Sequence, residues 1–193
     1  TIMERDQASK FINDLLRLMV SRNGSDLFIT ADFPPAIKVD GKVTKVSQQA
    51  LTPAHTMALA RSIMSDKQAA EFERTKEANF AIAPANVGRF RVNTFMQQGH
   101  VGMVLRVIPL DIPTIDLLGL PQVTKDIAMQ KRGLCILVGA TGSGKSTSLA
   151  AMVDWRNQHS FGHIVTIEDP IEFVHAHKNC VITQREVGLD TDS

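Results

Sequence analysis

Phe11, Ile12, Leu15, Leu16 and Met19 recur at spacings of three and four, while Arg5, Asp6, Lys10, Asp14 and Arg17 fall mostly between them. That period predicts an amphipathic helix over residues 1–20, its apolar stripe turned into a core rather than towards a partner. Asn23 and Gly24 end the helix, and residues 26–30 (Asp-Leu-Phe-Ile-Thr) read as a strand. Ile37 to Val39, then Asp40-Gly41, then Lys42 to Val46 is a hairpin pattern, because Asp-Gly suits a type I′ turn. Thr52 followed by Pro53 predicts a capped helix reaching about Met64, and a second short helix follows the Ser65 cap over about 66–74.

Residues 79–108 read as three strands. In the middle one Phe90 and Val92 share one face, and Arg89, Arg91 and Asn93 share the other. The last carries a single charge, Arg106, in an otherwise apolar run. Two readings of these arginines stay open: solvated charges on a strand face, or contacts to an anionic ligand. Pro109 and Pro113 then break the texture and mark a linker. The boundary is placed so that residues 1–110 form a small α+β domain and 111–193 begin a parallel α/β nucleotide-binding domain. In the second part a helix is expected over 122–130, a buried strand over 134–138, a helix over about 145–158, a second buried strand over 163–167 and a short strand at 181–183.

Composition narrows the classes. Of 193 residues, 44% are hydrophobic and 21% charged, with a formal net charge of +1. That is an ordinary core-forming composition with nothing that points to nucleic acid or a membrane surface. Aromatic residues make up 5% and tyrosine is absent, which argues against a base-stacking face. No apolar run approaches the length of a membrane span. Cys135 and Cys180 form no disulfide framework, and Cys135, inside the expected strand, is read as a buried structural thiol; a reducing cytosol fits.

The chemistry centres on residues 139–146, Gly-Ala-Thr-Gly-Ser-Gly-Lys-Ser, which match the phosphate-loop pattern G-x-x-x-x-G-K-[ST] at every defined position. Glycines let the backbone turn its N–H groups onto a nucleotide phosphate; Lys145 adds a positive charge and the Ser146 hydroxyl can ligate Mg²⁺. Strand, loop and helix in that order are the context the motif requires. Glu168 and Asp169 close the next expected strand, at the carboxyl end where open α/β sheets bind ligands. They either orient water or hold Mg²⁺ through its shell, or merely begin the turn at Pro170. Glu172, His175 and His177 lack a second cluster and read as a polar loop rather than a metal site.

The phosphate loop, the stretch 166–175 (Thr-Ile-Glu-Asp-Pro-Ile-Glu-Phe-Val-His) and residues 184–187 (Gln-Arg-Glu-Val) resemble the PilT/PilU retraction ATPases of type IV pili, within the secretion-ATPase superfamily. Residues 24–27, 88–92 and 105–109 extend the resemblance over nearly the whole chain, and 148–155 with 187–193 look closer to the PilU branch. The resemblance implies a PAS-like N-terminal domain followed by the first part of a RecA-like ATPase domain. It implies a hexameric cytoplasmic ring, peripheral at the inner membrane, that binds ATP and Mg²⁺ and drives pilus disassembly alongside a platform protein and a paralogous ATPase. Gly139, Ala140, Thr141, Gly142, Ser143, Gly144, Lys145, Ser146 and Thr147 match the Walker A loop, with Lys145 on the phosphates and Ser146 on the metal. Glu168 matches the glutamate that activates or positions water, and Arg91 and Arg106 match arginines that approach the nucleotide phosphates. The Walker B segment and His box of the family do not occur in these residues, so the chain is expected to be an N-terminal fragment without turnover of its own. A non-catalytic ring-assembly subunit, and a type II secretion or pilus-extension ATPase, remain as alternatives.

Overall fold

The computed structural model describes residues 3–192. The chain divides between Ile108 and Pro109 into two compact units.

In the first unit, helix α1 (Arg5–Ser21) precedes strands β1 (Asp26–Ile29), β2 (Ala36–Val39) and β3 (Lys42–Lys45). Helices α2 (Pro53–Ile63) and α3 (Asp66–Thr75) follow, then strands β4 (Glu77–Ile82), β5 (Arg89–Gln97) and β6 (His100–Ile108). All pairings are antiparallel, in the order β3-β2-β1-β6-β5-β4. The β2–β3 hairpin turn is tight: Asp40 and Gly41 take φ of 48° and 77°, the double positive φ that a type I′ turn needs. Both middle helices start at capping boxes, Thr52 with His55 and Ser65 with Gln68, each satisfying two backbone donors that a helix start otherwise leaves open.

Alternation along the strands sorts the sheet into two faces. Leu27, Ile29, Ile37, Phe90, Val92, Met103 and Leu105 are buried on one, against Ile12, Leu16 and Met19 of α1 and Leu59 and Ala60 of α2. Each such side chain contributes about 1.5–3 kcal/mol of transfer free energy, so this face holds the unit together. The opposite face carries Arg91, Asn93 and Arg106.

The second unit contains α4 (Val123–Ala128), α5 (Lys145–His159), β7 (His163–Glu168) and β8 (Val181–Glu186). β7 and β8 pair in parallel, Thr166 opposite Gln184 and Glu168 opposite Glu186. Ile115, Ala151 and Met152 are buried in a small core, with Leu118, Leu120, Ala128 and Trp155 packed around it.

Two sequence expectations fail here. Residues 134–138 form no strand and join no sheet, and Leu134, Ile136 and Val138 are 86%, 70% and 85% exposed. Cys135 is exposed as well, not a buried thiol. An apolar run becomes a buried strand only when neighbours take its backbone hydrogen bonds and cover its side chains, and no described segment does so. For the same reason β7 is half-buried rather than buried. Ile164, Thr166 and Glu168 face inward, while Val165 and Ile167 face solvent.

Candidate nucleotide-binding site

The glycine loop runs directly into α5. Gly142 and Gly144 have φ of 78° and 87°, and Gly144 is the residue before the helix starts. A Cβ on Gly139 would lie 2.6 Å from Ser143 Oγ and would push that hydroxyl aside. Gly142 and Gly144 supply the left-handed backbone that lets the chain bend back on itself. Lys145 folds over the bend, its Nζ donating to the carbonyls of Gly139 and Ala140, both at 2.8 Å. A cation above a glycine cradle, at the positive end of a 15-residue helix, is an arrangement complementary to phosphate.

Ser146, in the first turn of α5, lines a cleft of about 480 Å³ together with Glu168, Asp169, Glu172 and His175. Leu149 and Val153 of α5 and Phe173 supply its apolar wall. The Ser146 hydroxyl and the carboxylates are oxygen ligands of the kind that a hard cation such as Mg²⁺ takes, His175 adds a nitrogen, and among the described residues no three His, Cys, Asp or Glu side chains converge as a metal site. Glu168 is held at the end of β7 by two donors on one oxygen. Thr166 Oγ1 lies 2.6 Å and Gln184 Nε2 3.0 Å from its Oε1. His175, whose backbone N–H donates to Gln184 Oε1 at 2.8 Å, carries a buried Nδ1 without a partner. Burial pushes the imidazole below its ordinary pKa, against the pull of the Asp154 and Glu168 carboxylates and with a smaller push from Lys178. His177 accepts from the Ile182 N–H at 3.0 Å, which orders the loop.

The structure thus gathers Ser146, Glu168 and Asp169 around one cleft. Arg91 and Arg106 belong to the first unit, where they stand directly opposite each other on β5 and β6. They share a shallow depression of about 400 Å³ with Asn79, Asn93, Phe95 and Val104. Arg106 Nε donates to Asp26 Oδ1 at 2.8 Å.

Sequence reasoning passed over the residues that hold the second unit's loop. Asn157 of α5 is fully buried; its Nδ2 donates to Ala176 O at 2.7 Å, and its Oδ1 accepts from the N–H groups of Lys178 and Cys180. Asp154, one turn earlier, is buried and takes both carboxylate contacts from Lys178 Nζ, at 2.7 and 2.9 Å. The available signal was a polar residue on the buried side of a helix.

The model of the type II/IV secretion system protein family matches residues 3–193. The chain belongs to that family. Within it, the type IV pilus ATPase PilU of Pseudomonas aeruginosa is 55% identical over 179 residues, 93% of this chain and 47% of the relative. The type IV pilus retraction ATPase PilT of the same organism is 45% identical over 180 residues, 93% of this chain and 52% of the relative. A crystal structure of the pilus retraction motor PilT with bound ADP superposes with a TM-score of 0.89 at 42% identity, over 94% of this chain and 53% of that one. By sequence and by fold the chain is similar to the PilT/PilU branch of that family. It spans about half the length of these secretion-family relatives. No described helix is long and apolar enough to cross a membrane.

Proposed function

We propose that the protein is a subunit of an ATP-driven motor that powers retraction of type IV pili. The observation that carries this is the shared cleft, where Ser146 at the start of the helix behind the glycine loop meets Glu168 and Asp169 at the end of β7. A phosphate cradle and a carboxylate that can orient water are the two halves of a hydrolytic site. The PilT relative whose structure contains ADP supports nucleotide as the ligand.

In this reading residues 139–147 hold the ATP phosphates, with Lys145 leaving the loop carbonyls to meet them. Ser146 would hold Mg²⁺, which supplies positive charge against the phosphate oxygens. Glu168 positions the attacking water, and Arg91 and Arg106 add positive charge near the phosphates when subunits assemble. The PAS-like first domain (1–110) and the RecA-like portion (111–193) then move against each other in a hexameric cytoplasmic ring at the inner membrane. That ring works with a platform protein and a paralogous ATPase.

Phosphate release by the full-length protein tests the reading. Lys145→Ala should abolish nucleotide binding, and Glu168→Gln should retain binding and lower turnover by about 10²-fold or more. Turnover indifferent to Glu168 would remove its catalytic role.

A further inference from the structure

Gln184 sits on β8 directly across from Thr166 and uses three of its side-chain hydrogen-bonding positions at once. Its Nε2 donates to Glu168 Oε1 at 3.0 Å and to the Phe173 carbonyl at 2.8 Å. Its Oε1 accepts from the His175 N–H at 2.8 Å. One amide therefore ties the carboxylate at the end of β7 to the loop that forms the far wall of the cleft, where Phe173 and His175 lie.

The bonds to Glu168 are one-sided. Thr166 and Gln184 both reach Oε1, so the rotation of the carboxyl group is set and Oε2 is left for another partner. Glu186, two residues further along β8 and opposite Glu168, makes this constraint necessary. It is a buried carboxylate, and like charges directly opposite on adjacent strands repel. Its own Oε1 is engaged by the Ile171 N–H at 3.0 Å. Without a donor between the two strands, Glu168 would turn away from its neighbour and out of the alignment that the cleft gives it.

We propose that Gln184 is a positioning residue for Glu168, acting through that carboxylate and through the 173–175 wall without touching the nucleotide itself. The proposal rests on the reading of Glu168 as the water-positioning group. Its consequence is a split: loss of Gln184 disturbs the orientation of a reacting group, where displacements of an ångström cost up to about 10²-fold in rate. The phosphate loop, on another element, keeps its grip on ATP.

The test uses the full-length protein and four variants, read by steady-state ATP hydrolysis and by amide hydrogen exchange at His175. Gln184→Ala should lower kcat by about 10–100-fold with KM for ATP within about twofold, and should speed exchange at the His175 amide. Gln184→Glu keeps the shape and the acceptor for the His175 N–H but loses both donors. It should lower kcat at least as far while His175 stays protected, and it serves if the alanine variant does not fold. Adding Gln184→Ala to Glu168→Gln should cause no further loss, since both act through one group. Wild-type kcat in Gln184→Glu, or a further loss in the double variant, overturns the proposal. Wild-type kcat in Glu168→Gln alone overturns the underlying reading instead, so the two failures are distinguishable.

Discussion

Arg91 and Arg106 face each other across β5 and β6 as direct register partners, and Arg106 alone of the two bonds a carboxylate, that of Asp26. Asp26 is 3% exposed and also accepts from Ser25 Oγ at 2.8 Å, so it is a fixed anchor. Two like charges in register weaken a sheet unless something anionic lies between or above them. Asp26, the register partner of Arg106 on β1, supplies that anion for Arg106, whereas Arg91 makes no ion pair among the described residues.

The two arginines should therefore respond differently to truncation. Arg91→Ala removes a repulsion and should leave stability unchanged or slightly raised, within about 0.5 kcal/mol. Arg106→Ala leaves the buried Asp26 carboxylate without its partner and should cost about 1 kcal/mol, a modest figure because the guanidinium side is 67% exposed and screened. Urea unfolding gives both values. ATP hydrolysis by the full-length variants should fall for each, and a loss of activity that merely follows the loss of stability would assign both arginines to the fold.

Asn157→Ala should destabilise the second unit by about 1–3 kcal/mol, because it removes the partner of the part-buried Ala176 carbonyl and Lys178 N–H and strands the buried Cys180 N–H. The readout is thermal unfolding together with exchange at the Lys178 and Cys180 amides. Unchanged protection at those amides would show that the loop is held by other means.

His175 makes a pH prediction. Its folded-state pKa lies below the ordinary 6.5, chiefly from burial. Between those two values the unfolded chain binds a proton that the folded chain does not, so stability is full above about pH 6.5 and falls as the pH drops through the folded value. Asp154 and Glu168 oppose this shift and Lys178 adds to it. His175→Gln should flatten the dependence of the unfolding midpoint on pH between about 7.5 and 5 relative to the parent protein. An identical slope in both proteins would exclude His175 as the source.

Local signals in the sequence were mostly sufficient for the elements of the first unit. The α1 stripe, the Asp40-Gly41 turn, the Thr52 and Ser65 caps and the alternation around Phe90 all appear in the structure close to where the pattern put them. The glycine loop and the start of α5 were legible for the same reason, since the glycines, the lysine and the helix are contiguous. Residues 134–138 were misread because apolarity states what a segment would gain from burial, not whether neighbours are there to bury it. The missed residues share another cause: Gln184 reaches Glu168 across 16 positions of chain, and Asn157 reaches Cys180 across 23.

Capping, turn chemistry and helical period act over about four residues, so the order of amino acids alone decides where α1, the hairpin and the loop before α5 form. Which distant side chains meet is set by strand register and packing. Register puts Gln184 beside Thr166, Glu168 opposite Glu186 and Arg91 opposite Arg106. A shift of one residue in either pairing would turn those side chains to the other face, which is why their partnerships exist only in the folded chain.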